Sequence, residues 1–134
     1  MAITGAHVLL FSSEADALRA TLRDVLGWDF VEAHPGWLIF ALPPAELGVH
    51  PSQEGETRHE LWLICDDLDA TVTELRAKGI EFEGEPTEAD FGRWVRLRLP
   101  GGVEVPLYEP KHPLAIDVSP EKRAESSTVQ DVER

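Results

Sequence analysis

The sequence predicts an α+β fold made of two βαβββ modules in tandem. Three observations carry that reading. Apolar runs of strand length alternate with segments whose apolar residues recur at helical spacing. Glycine and proline stops fall between them in the same order twice. The stretch His59 to Phe82, HELWLICDDLDATVTELRAKGIEF, also has a faint copy upstream at His7 to Phe30, HVLLFSSEADALRATLRDVLGWDF.

The elements follow in chain order. HVLLFS, residues 7–12, reads as a buried strand. Ser12 or Ser13 can cap the helix after it, and Glu14 and Asp16 suit its positive end. Leu18, Leu22, Val25 and Leu26 make one apolar helix face, and Gly27 ends it. WDFVEAH is a strand, Pro35-Gly36 a turn, and WLIFAL a largely apolar strand that Pro43-Pro44 breaks. AELGVHP carries a short strand ending at His50-Pro51. SQEGETR, residues 52–58, is polar and aperiodic and reads as the linker between halves.

The second half repeats the plan. HELWLIC is a strand, and Asp66 or Asp67 caps a helix whose apolar face is Leu68, Val72 and Leu75, with Gly79 as its stop. IEFEGEP reads as a strand ending at Pro86, with TEADFG as a loop over the mouth of a site. GRWVRLRL alternates as a half-buried strand, Pro100-Gly101-Gly102 turns the chain, and VEVPLYEP is the last strand. Pro106 has no N–H, which predicts a bulge there or a place on the unpaired side. One domain of residues 1–113 follows, with module 1 at about 5–51 and module 2 at about 58–110. Residues 114–134 have little apolar content and read as a mobile C-terminal tail.

Composition narrows the function classes. The chain has 134 residues, of which 43% are hydrophobic, enough for a core. The net charge of −13, without any basic run, argues against nucleic acid. No apolar run approaches the ~18 residues of a membrane span. MAITGAHVLLF lacks the parts of a signal peptide, which predicts a cytoplasmic location without a membrane partner. Cys65 is the only cysteine, so no intramolecular disulfide or thiolate cluster forms, and it reads as a small buried hydrophobe.

Aligning the halves turns the repeat into chemistry. With His7 laid on Glu60, Leu22 meets Leu75 and Arg23 meets Arg76. After one gap Gly27 meets Gly79, Trp37 meets Trp94, and Leu42-Pro43 meets Leu99-Pro100. His50 then falls on Glu109. His7 and Glu60 begin the first strand of each half, and His50 and Glu109 end the last. If those strands are neighbours, two imidazoles and two carboxylates converge, a donor set suited to Ni²⁺, Zn²⁺, Co²⁺, Mn²⁺ or Fe²⁺. A one-residue gap would select His59 in place of Glu60, because adjacent strand residues point to opposite faces.

Paired βαβββ modules with HVLLFS, DDLDATVTELRAKGIEF, the LPGG turn and the closing LYEP resemble the vicinal oxygen chelate superfamily over about residues 5–113. That superfamily includes glyoxalase I, bleomycin-resistance proteins, extradiol dioxygenases and methylmalonyl-CoA epimerase. The resemblance implies a cupped, barrel-like mixed sheet with helices outside. It carries the family's metal positions onto His7, His50, Glu60 and Glu109. It implies a divalent metal that chelates two adjacent substrate oxygens, with Glu60 or Glu109 moving a proton. A metal-dependent lyase, isomerase or dioxygenase acting on a small oxygen-rich molecule would follow, and a homodimer. Extradiol dioxygenases carry a histidine where this chain has Glu60, a departure that weighs against that chemistry.

Alternation in GRWVRLRL puts Trp94, Arg96 and Arg98 on one face, toward the expected cup. The arginines there would hold a substrate carboxylate or phosphate, or else pair with surface acids. Trp37, Trp62, Trp94 and Phe91 are candidate aromatic walls, Trp62 and Trp94 foremost. The alternative function is a metal-free binding protein of the bleomycin-resistance type, which holds a drug or metabolite in an aromatic cleft.

Overall fold

A helix that buries one leucine-rich stripe needs a sheet face to bury it against, and this chain provides that pairing twice. Helices α1, Ala15–Asp24, and α2, Leu68–Ala77, coincide residue for residue in the repeat alignment. The computed structural model describes residues 6–52 and 55–117. The tail from residue 118, and residues 53 and 54 of the expected linker, lie outside the described residues.

The two helices start differently. Asp67 is the cap of α2: its backbone is extended and its Oδ1 accepts from the Ala70 N–H at 3.0 Å. In α1 neither expected serine stands at the cap position, which Glu14 holds without a side-chain capping bond. Ser12 Oγ instead accepts from the Glu14 N–H at 3.0 Å and donates to the Pro100 carbonyl at 2.7 Å. Glu14 in turn accepts from the Gly101 N–H at 2.8 Å. The start of α1 is thus tied to the turn at Pro100-Gly101, where φ of Gly101 is +84° and a Cβ would collide with Ser12.

The main sheet belongs to the second half. It runs β3-β6-β5-β4, with β3 at Leu63–Ile64, β4 at Glu81–Ala89, β5 at Gly92–Leu99 and β6 at Val103–Pro110. α2 carries the chain from β3 across to β4 at the far edge, and β6, reached through β5, pairs in parallel with β3, while the other pairs are antiparallel. Val95, Leu97 and Leu99 of β5 and Val105 and Leu107 of β6 face the helices. They pack with Leu18 and Leu22 of α1 and Leu68, Val72 and Leu75 of α2 as one core. Leu68 and Leu97 have no exposed surface, and burying each contributes about 2 kcal/mol.

Several expected strands are altered by their surroundings. β4 does not end at Pro86 but continues to Ala89, so TEADFG is strand and turn rather than a covering loop. A register shift between Glu83 and Thr87 absorbs the proline, aided by Gly84 at φ +72° on this edge strand. Pro106 pairs in register with Arg96 on the β5 side. On the other side, parallel pairing extends no further than Leu63 with Leu107, so the expected strand HELWLIC shortens to Leu63–Ile64. Pro106 offers no N–H to carry that ladder on.

The first half departs most. Its regular strands are the antiparallel pair β1, Phe30–His34, and β2, Trp37–Phe40. The stretches expected as strands at residues 7–12 and 45–50 have no ladder partner in the described chain. Leu9 is 67% exposed, Phe11 86%, Leu47 91% and Val49 92%. An apolar run becomes a strand only beside another strand, and among the described residues neither stretch pairs with the free edge of β3 or of β4. No helix of the described residues is long and apolar enough to cross a membrane.

Candidate ligand-binding site

The sheet face turned away from the helices is set by alternation along β5 and β6. Trp94, Arg96 and Arg98 of β5 stand opposite Tyr108, Pro106 and Glu104 of β6 in register. Trp62, just before β3, joins them and forms the centre of an aromatic cluster. Its ring centroid lies 5.4 Å from Trp94, 5.4 Å from Tyr108 and 5.8 Å from Phe91. The Tyr108 contact is edge-on, at 89°, and Phe91 meets Tyr108 at 6.0 Å. These are the separations and tilts at which ring quadrupoles attract. Phe91 reaches the cluster from the turn between β4 and β5 and stays 41% exposed.

Three of the four aromatic residues expected as walls therefore meet. Trp37 does not: it lies on β2 under the guanidinium of Arg19, 4.6 Å away. Tyr108 was missed. The alternation of VEVPLYEP, with Val105 and Leu107 on the helix side, was the signal that would have placed it. Partial burial, and then the Glu46 carboxylate, push its phenol above the ordinary value. It remains a neutral hydrogen-bond donor at neutral pH.

Charged groups continue the same face beyond the rings. Glu60 Oε1 accepts from the Trp62 indole N–H at 2.9 Å, and Oε2 pairs with Arg58 at 3.0 Å. The indole hydrogen bond, followed by Arg58 and Arg96, holds the Glu60 carboxyl below the usual range against the effect of burial. Arg98 lies between Glu83 at 3.8 Å and Glu104 at 3.6 Å. The guanidinium of Arg96 rests over the Trp94 ring, 4.7 Å from its centroid. A depression of about 220 Å³ opens here, lined by Leu10, His59, Glu60 and Arg96 among others. His59 and Glu60 both reach this depression, but it is Glu60 that bonds to the aromatic cluster.

The expected metal donors are not brought together. Glu109 follows Val105 and Leu107 onto the helix side, where its Oε1 accepts from the Leu68 N–H of α2 at 2.9 Å. Glu60 and Glu109 thus occupy opposite faces of the sheet. His7 and His50 are exposed, and His50 Nδ1 lies 3.0 Å from the Pro51 carbonyl. Among the described residues no group of three or more His, Cys, Asp or Glu is placed to hold an ion. The donor set expected from the repeat, His7, His50, Glu60 and Glu109, does not fit a shared metal in this arrangement. Aligning strand ends located Glu109 along the chain but not the direction of its side chain, which the buried neighbours decide. Nor is either glutamate poised as a proton shuttle: Glu60 is held ionised and Glu109 caps a helix. Cys65 is partly buried, and burial pushes its thiol above the ordinary value, as expected of an unreactive cysteine.

The same architecture occurs in proteins of known structure. TnmS3, an antibiotic binding protein from Streptomyces sp. CB03234, is similar at TM-score 0.61 and 24% identity, over 83% of this chain and 99% of that one. Lactoylglutathione lyase from Agrobacterium tumefaciens is similar at TM-score 0.57 and 22% identity, over 81% and 95% of the two chains. At these identities the likeness establishes the fold. In sequence, the uncharacterized protein YetH of Bacillus subtilis (strain 168) is 24% identical over 102 residues, 68% of this chain and 85% of YetH. A profile of the Glyoxalase/Bleomycin resistance protein/Dioxygenase superfamily matches residues 5–107. On that match, which takes in residues of both halves and more than half of the chain, the chain belongs to this superfamily.

Proposed function

We propose that the protein is a small-molecule binding protein that holds a planar aromatic ligand on the open face of its sheet by stacking, without a bound metal. One observation carries this reading. Trp62, Trp94, Tyr108 and Phe91 converge there, while the two carboxylates of the expected metal set are divided between opposite faces. Flat rings at one end and charged groups at the other suit a ligand with an apolar body and a polar edge. The likeness to an antibiotic binding protein supports the same class. The metal-dependent lyase or dioxygenase reading would require Glu109 to leave α2 and cross to the other face.

The exposed apolar residues of the first half, Leu9, Phe11, Leu47 and Val49, are the surface a second copy would cover. We therefore take the working form to be a homodimer.

Calorimetric titration tests both parts of the reading. Naphthalene-2-carboxamide, a neutral planar probe, is expected to bind the wild type and to lose at least about tenfold in affinity to Trp62→Ala, since stacked rings carry large contact areas. Ni²⁺ and Zn²⁺ are expected to give no stoichiometric binding. Stoichiometric metal binding that disappears in both Glu60→Ala and Glu109→Ala would overturn the metal-free reading.

A further inference from the structure

We infer that the ligand carries an anionic group beside its aromatic system, and that Arg96 is the residue that holds it. This rests on the stacking site proposed above and names the chemistry at its charged end.

Arg96 is surrounded by acids that are already engaged. Three carboxylates lie within its field: Glu60, Glu83 and Glu104. Glu60 spends one oxygen on the Trp62 indole and the other on Arg58. Glu83 and Glu104 share Arg98. Arg96 is exposed, and among the described residues it forms no ion pair. In a chain with 25 acidic and 12 basic residues, acids to pair with are plentiful, and Arg96 nonetheless takes none of the three beside it. Arg76 is also without an ion pair, but it covers Phe82 on the helix side, away from the aromatic cluster.

What holds Arg96 is Trp94. The guanidinium over the indole, 4.7 Å from the centroid, keeps its charge beside the rings. Stacking satisfies the face of a guanidinium and leaves its edge N–H donors free. Those donors match a carboxylate or phosphate in two parallel hydrogen bonds, which an ammonium cannot reproduce. Arg96 also lines the depression of about 220 Å³, with Glu104 and with Glu60, whose other contact is the Trp62 indole. Trp94, which carries it, is in contact with Trp62. A ligand ring stacked on the cluster thus brings a carboxylate on its edge to Arg96. Arg98, which the sequence offered as an equal partner in this role, is occupied by Glu83 and Glu104.

Three isosteric probes at one ionic strength test the inference in the full-length protein: naphthalene-2-carboxylate, naphthalene-2-carboxamide and naphthalene-2-carboxamidinium. The carboxylate is expected to bind about tenfold tighter than the amide, and the cation most weakly, because a carboxylate accepts two parallel hydrogen bonds from the guanidinium and neutralises its charge, whereas the amide offers one acceptor and no charge. Arg96→Gln is expected to bring carboxylate and amide to equal affinity, with Arg96→Lys recovering only part of the difference. The ratio of the two affinities is the readout, so a purely structural effect on Trp94 would not move it. Equal binding of carboxylate and amide by the wild type, or a carboxylate preference that survives Arg96→Gln, overturns the role of Arg96 and leaves the stacking site standing. No binding of any probe overturns the stacking site and this inference together.

Discussion

The two halves of this protein share one sequence pattern and end in different physical states. In the second half, β3, α2, β4, β5 and β6 complete a βαβββ unit around Leu68 and Leu97, both wholly buried. In the first, the matching helix forms over the same repeat positions, but its flanking strands reduce to the β1–β2 pair. The first half buries Leu18 and Leu22 by placing α1 on the second half's core, and leaves Phe11 and Leu47 in water. A helix satisfies its own backbone hydrogen bonds, whereas a strand depends on a neighbour. The repeated pattern therefore yields the same helix in both halves but not the same sheet.

Stability measurements should separate the halves most. Leu97→Ala is expected to cost about 2–5 kcal/mol in urea unfolding, from lost burial and the cavity left behind. Phe11→Ala, at 86% exposure, should cost less than about 0.5 kcal/mol at low protein concentration. If a second copy covers Phe11, the wild-type Tm will rise with protein concentration and that of Phe11→Ala will not. A Phe11→Ala penalty as large as that of Leu97→Ala at every concentration would refute the contrast.

A smaller effect distinguishes how the helices are started. Glu109→Ala removes the carboxylate that accepts from the Leu68 N–H, where α2 also presents its positive end. The expected loss is about 1 kcal/mol in thermal or urea unfolding, the typical value of a capping interaction, with no change in affinity for Ni²⁺ or Zn²⁺. A change in metal affinity with unaltered stability would restore Glu109 as a ligand.

The smallest effect concerns the phenol in the cluster. Tyr108 is the only tyrosine, so ultraviolet titration of tyrosinate reports this residue alone. Its midpoint is expected above the ordinary value near 10 and to fall toward it in Trp62→Ala, as burial is relieved. The folded form favours the protonated phenol. Its contribution to stability is therefore fully present below the unfolded pKa and is lost as pH rises through the folded one. An unchanged midpoint in Trp62→Ala would mean that Trp62 does not provide the burial.

Much of the fold is legible in the sequence because it is local. The spacing of Leu68, Val72 and Leu75, the aspartate before them and Gly79 after them define α2 without reference to the rest of the chain. The alternation of GRWVRLRL put Trp94, Arg96 and Arg98 on one face, and β5 has that arrangement. The repeat likewise placed α1. The ends of corresponding strands are not equivalent in the two halves. The repeat sets Glu109 against His50 and both toward a metal, although Val105 and Leu107, four and two residues earlier, already direct Glu109 to the helix side.

The sequence by itself determined the helices, the order and alternation of the second-half strands, and the aromatic and arginine residues on one face. Each depends on contacts within a few residues, which composition and spacing encode. Only the tertiary structure decided which apolar runs find a ladder partner, that Trp37 leaves the cluster and Tyr108 enters it, and which arginine stays unpaired. Those outcomes depend on which strands become neighbours and which acids reach a given base first, and neither is a property of any single stretch of chain.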